Sequence, residues 1–117
     1  MSTQIASAQT AATPKHYIYV LRLVPRLHDA AAWTDRDRSS VAAHFKRLQE
    51  ATEQRKVVID GRTDEPLGVT FGIVIFEARS DEEARDFMEA DPTVKDGVML
   101  AELHPYAVAL LREQADA

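Results

Sequence analysis

The chain contains no cysteine, so disulfides and thiolate-bound metals are excluded. It has no apolar run near the ~20 residues that a membrane-spanning helix needs. It has no surplus of basic charge. Fourteen Lys and Arg against nineteen Asp and Glu leave a formal net charge of -5. Nucleic acid is therefore disfavoured as a partner, because binding it takes a basic patch that displaces counterions. No His-x-His or His-x-x-x-His spacing occurs, and no glycine-rich phosphate loop, so neither a metal nor another cofactor is expected. The first residues, MSTQIASAQTAAT, lack both the basic start and the apolar core of a secretory signal. A flexible tail over 1–15 and a cytoplasmic location are the corresponding expectations.

What is present suits one ordinary domain. The 117 residues are 45% apolar and 28% charged. Alternation and β-branched content predict strands over His16–Val24, Lys56–Arg62 and Val69–Ala78, and a last strand within Val98–Leu111. Pro105 places that last strand at an edge, or ends it near His104. A helix is predicted over Asp37–Arg55, capped by Thr34 or a nearby Asp or Ser. Its apolar stripe is Val41, Phe45, Leu48 and Thr52, with Lys46 and Arg47 turned to water. A second helix starts at the capping box Ser80-Asp81-Glu82-Glu83 and ends near Ala90. The connection Pro25–Asp37 is long. Its Ala30-Ala31-Ala32 run suits a helical turn, and it carries the only tryptophan, Trp33. The domain spans 16–111, with a short tail over 112–117.

The order βαββαβ predicts an α+β split βαβ, or ferredoxin-like, sandwich: an antiparallel four-stranded sheet with two helices on one face. The first and third strands are apolar on both faces, so the uncovered face needs a cover. A second copy of the chain is the simplest one. The expectation is a homodimer joined through Ile18, Val20, Phe71 and Ile73 or their opposite-face neighbours.

Two side chains draw attention as chemistry. Asp91 shares a helix face with Ala84, Phe87 and Met88, and Pro92 forces it out of the helix. His44 lies ~70° from the centre of the first helix's stripe. Asp91-Pro92 also reads as a helix start, with Asp at the N-cap and Pro at N1, and a histidine beside a stripe also reads as a packed residue. The two readings of Asp91 are compatible. With the two helices taken as parallel, His44 and Asp91 stand at different ends. The long connection, a late helix start or a partner subunit would then have to close the gap.

Three segments, Ala43-His44-Phe45-Lys46-Arg47-Leu48-Gln49, Arg55-Lys56-Val57-Val58-Ile59-Asp60-Gly61 and Ala90-Asp91-Pro92-Thr93-Val94-Lys95-Asp96-Gly97-Val98, together resemble the YciI-related (YCII) family over roughly Tyr17–Tyr106. The resemblance implies a dimeric α+β barrel with a His/Asp-centred site, His44 and Asp91 matching the pair. Phe45 replaces a leucine, Arg62 a proline and Thr93 an aromatic residue, so the pocket differs in polarity and no substrate carries over. Arg62 joins Trp33 and His28 as candidate substrate-binding residues.

An imidazole with its reference pKa of ~6.5 takes and returns protons at neutral pH, and a carboxylate on its other nitrogen fixes the tautomer. Such a pair suits isomerisation, elimination or water activation on a small organic molecule. The alternative is a non-catalytic dimeric module that binds a small molecule or a partner protein. His16 and His104, at strand ends, read as structural or exposed.

Overall fold

The computed structural model describes residues 13–113. The tails expected over 1–15 and 112–117 therefore lie mostly outside the described residues. Strands β1 (Lys15–Leu23), β2 (Val57–Arg62), β3 (Gly72–Ala78) and β4 (Met99–Tyr106) form one sheet in the order β2-β3-β1-β4, every pair antiparallel. Helix α1 (Asp35–Glu53) follows β1. Helix α2 (Asp81–Glu89) and a single-turn helix α3 (Pro92–Lys95) follow β3. This is the ferredoxin-like α+β arrangement. No helix among the described residues is long and apolar enough to cross a membrane.

The local chemistry explains the boundaries. Thr34 caps α1 in a reciprocal box with Asp37, so the helix starts at Asp35, two residues earlier than expected. Ser80 accepts from the Glu83 N–H at 3.0 Å, while the Glu83 carboxylate turns to the Arg79 N–H. Between β1 and α1, Pro25–His28 and Ala30–Ala32 form two 3-10 turns. Strand β3 begins at Gly72 rather than Val69, because Thr63 and Thr70 close the preceding loop through their side chains, 2.9 Å apart. Pro105 lies within β4, which is an edge strand and runs on to Tyr106.

One sheet face meets the helices. Tyr17, Tyr19 and Leu21 of β1 and Val74, Phe76 and Ala78 of β3 are buried there against Leu48, Ala51, Ala84 and Met88. The stripe expected on α1 is met at Leu48 and in part at Val41, which is half-buried, but not at its other two positions. Phe45 is 61% exposed and Thr52 is exposed, while Asp37, Ser40, Leu48 and Ala51 are buried. The helix turns its small and hydrogen-bonding residues inward, and Ser40 donates to the Pro92 carbonyl at 3.1 Å. Arg47, expected in water, lies over the Phe87 ring at 4.3 Å and donates to the Phe87 carbonyl. The opposite sheet face carries Ile18, Val20, Ile73 and Ile75, with Ile59 and Leu100 more than half exposed at its sides.

Candidate active site

Asp91 is the N-cap of α3, where Pro92 at N1 holds it in extended backbone. Its carboxylate is fully buried and satisfied on all sides. Oδ1 accepts from the Thr93 N–H at 3.0 Å and the Thr93 hydroxyl at 2.7 Å. Oδ2 accepts from the Tyr19 hydroxyl at 2.8 Å. His44 Nδ1 lies 2.8 Å from both oxygens. Burial alone would push the Asp91 carboxyl up. The hydrogen bond and charge of His44, with the bonds from Thr93 and Tyr19, outweigh it and hold the group below its usual value. Burial, then the charge of Asp91, keeps the Tyr19 phenol far above its ordinary value, so it stays a donor. An ionised carboxylate only accepts, so His44 Nδ1 carries the hydrogen and Nε2 is left as the basic nitrogen.

The two helices are antiparallel, not parallel. Strands β1 and β3 run in opposite directions, and each helix returns along the strand it follows. The first half of α1 and the end of α2 therefore lie at the same end of the sheet, and no partner subunit is needed to bring His44 to Asp91. The two functional readings of Asp91 coexist in one side chain, which caps a helix and holds an imidazole.

His44 opens onto a cleft of about 690 Å³ at this end of the sheet, lined also by Trp33, Asp60, Arg62, Leu21 and Met99. Of the sequence candidates, Trp33 and Arg62 line it and Asp91 lies buried beneath it. His28 is not among its lining residues; its Nε2 lies 3.1 Å from the Leu23 carbonyl. The connection that carries Trp33 is fastened. Arg26 forms a two-pronged pair with Asp37 at 2.9 and 3.0 Å and donates to the Ala32 carbonyl, while the Trp33 indole donates to the Leu27 carbonyl. Arg26 and the cap bonds of Thr34 hold the Asp37 carboxyl well below the usual range.

Tyr19 and Thr93, which complete the support of Asp91, read in the sequence as core and as a departure from a pattern. Asp60 read only as part of a strand and of a segment that resembles the family. His16 and His104 pair loosely with Glu77 and Glu102, at 3.5 and 3.3 Å. Among the described residues no three potential ligands cluster to hold a metal ion.

The fold and the site define a small α+β protein, a split βαβ sandwich in which a buried carboxylate holds an imidazole at a cleft. The family model of the YCII-related domain matches residues 18–103, and the chain belongs to that family. Its fold is similar to that of 5-chloro-2-hydroxyhydroquinone dehydrochlorinase from Burkholderia phenoliruptrix AC1100, solved in complex with 2,5-dihydroxybenzoquinone. The TM-score is 0.60 at 20% identity, over 79% of this chain and 93% of that one. No functionally curated protein matches the sequence.

Proposed function

We propose that this protein is an enzyme that performs acid–base chemistry on a small organic molecule, with His44 as the proton carrier and Asp91 as the group that orients it. One observation carries the reading. The His44 ring lines an open cleft while its Nδ1 is held by a buried, fully bonded carboxylate. Nε2 takes a proton from carbon or hydroxyl, and Asp91 stabilises the imidazolium that forms. The electron pair left behind forms a new double bond, a leaving group departs with its bonding pair, and the proton passes to product or water. The dehydrochlorinase is a fold relative, and its name supplies the first chemistry to test, elimination from a hydroxylated ring. The functional unit of this reading is a pair of chains joined through the open sheet face.

The competing reading, a binding module without catalysis, is favoured by the completeness of the Asp91 cap, which by itself accounts for a buried carboxylate. The test is a panel of halogenated and hydroxylated aromatics, including 5-chloro-2-hydroxyhydroquinone, followed for halide release and absorbance change. Turnover that disappears in a folded His44→Gln variant supports the enzyme. Ring compounds that bind without any turnover support the module.

A further inference from the structure

Strand β2 contains an irregularity that changes which way its end faces. Val57 pairs with Phe76, but Ile59, two residues on, pairs with Ile75, one residue back. Val58 is thus an extra residue, a β-bulge. Strict alternation from Val57, which is buried on the helix side, would send Asp60 to the open sheet face. With the bulge, Asp60 pairs with Val74 and Val74 with Tyr19. Directly paired residues share a face. Asp60, Val74 and Tyr19 therefore form one row on the helix side, and Tyr19 is the residue that donates to Asp91. Asp60 stands two strand spacings, ~10 Å, from Tyr19, and lines the cleft together with His44. Burial, His44 and Asp91 all act on its carboxyl, and no hydrogen bond among the described residues does. Carboxyls near the cleft outnumber cations: Asp60, Asp64 and Glu65 line it with Arg62, and the remaining wall is largely apolar.

We infer that the bulge at Val58 exists to turn Asp60 into the cleft, where its free carboxyl accepts a hydroxyl hydrogen of the substrate and makes the site select neutral hydroxylated rings over carboxylates. This deepens the acid–base reading above and rests on the same cleft. A bulge is a known device for re-aiming a side chain beside a site, and the Asp60 carboxyl, exposed at the cleft and without a protein hydrogen bond among the described residues, is open to a ligand hydroxyl. Discrimination follows because an anionic ring meets like charge where a phenol meets an acceptor.

The single indole N–H of Trp33, a cleft residue and the only tryptophan, gives one resonance that reports occupancy by NMR. The probes are catechol and benzoate, similar in size and opposite in what they offer a carboxyl. The expected result is catechol binding about tenfold more tightly than benzoate, with the gap shrinking to about threefold or less in Asp60→Asn. Asp60→Ser is the second variant, and the amide spectrum of each reports that the fold is intact. The inference is overturned if benzoate binds as well as catechol, if neither probe shifts Trp33, or if both variants keep the full preference. Its failure is separable from that of the acid–base reading. Turnover lost in His44→Gln with the preference untouched in the Asp60 variants sinks this inference alone. A preference that depends on Asp60 without any His44-dependent turnover sinks the other alone.

Discussion

Asp91 collects four donors around one carboxylate, and its removal leaves all of them buried without an acceptor. Asp91→Ala is expected to cost about 3 kcal/mol or more in urea unfolding. Tyr19→Phe, which removes one bond and leaves the others, should cost about 1 kcal/mol. Asp60 behaves in the opposite sense. Its folded-state pKa is raised, chiefly by burial, so the stability it contributes is full below the unfolded aspartate value of ~3.9 and is lost as pH rises through the folded value. Asp60→Asn should therefore be more stable than the wild type at pH 7, and the gain should vanish near pH 3. An Asn variant less stable than wild type at pH 7 would contradict the raised pKa. Asp91, with its lowered pKa, contributes stability above ~3.9 that is lost as pH falls through its folded value. Spacing and the proline rule singled out His44 and Asp91, and the family resemblance matched them as a pair; their meeting within one chain was not legible, because the two helices were taken as parallel. Asp60 was not legible either, because period-two alternation carries no sign of a bulge.

At the scale of elements, the sequence placed four strands and two main helices in the right order but misread one helix face. Choosing the largest apolar residues put Phe45 inside α1. The structure instead buries Asp37 and Ser40, whose partners Arg26, Thr34 and the Pro92 carbonyl come from other elements, so no periodicity within the helix reveals them. The Arg26–Asp37 pair should fasten the connection before α1. Arg26→Ala is expected to speed hydrogen exchange at the Trp33 indole about tenfold or more while leaving β3 amides unchanged; equal protection would show the pair to be dispensable. Helix ends offer a paired test. α1 and α3 both close with the two reverse bonds of a Schellman motif: Lys56 N–H to Ala51 and Arg55 N–H to Thr52, then Val98 N–H to Thr93 and Gly97 N–H to Val94. Both left-handed residues have similar φ, 68° at Arg55 and 73° at Gly97. Gly97→Ala should destabilise by about 1 kcal/mol, whereas Arg55→Gly should stabilise by up to about 1 kcal/mol. Matching changes of the same sign in thermal unfolding would refute the backbone argument.

For the whole molecule the unresolved demand is the open sheet face. The rows Ile59–Ile75–Ile18 and Gly61–Ile73–Val20 run across three strands with no helix of the described residues over them, while Glu102 and His104 continue them on β4 as a polar border. An apolar centre with a polar rim is the anatomy of an interface between proteins, and a patch of this kind is seldom left in water. A second copy related by a two-fold axis presents the same patch back, which makes the contact self-complementary. The cleft bears on this, because Gly61, Arg62 and Phe71 line both it and a smaller apolar groove that continues onto the open face with Ile59 and Ile73. A partner seated there would wall one side of the cleft, so assembly and ligand binding should be linked. Light scattering at micromolar concentration should give twice the 13.1 kDa chain mass. Val20→Asp places a charge at the centre of the patch, away from the buried core, and should give a folded monomer. If the linkage holds, that monomer binds catechol at least about threefold more weakly than the dimer, a difference of roughly 0.7 kcal/mol. A wild-type chain that stays monomeric at a hundred-fold higher concentration would remove the dimer. A Val20→Asp monomer with undiminished affinity would keep the dimer and show the cleft to be complete within one chain.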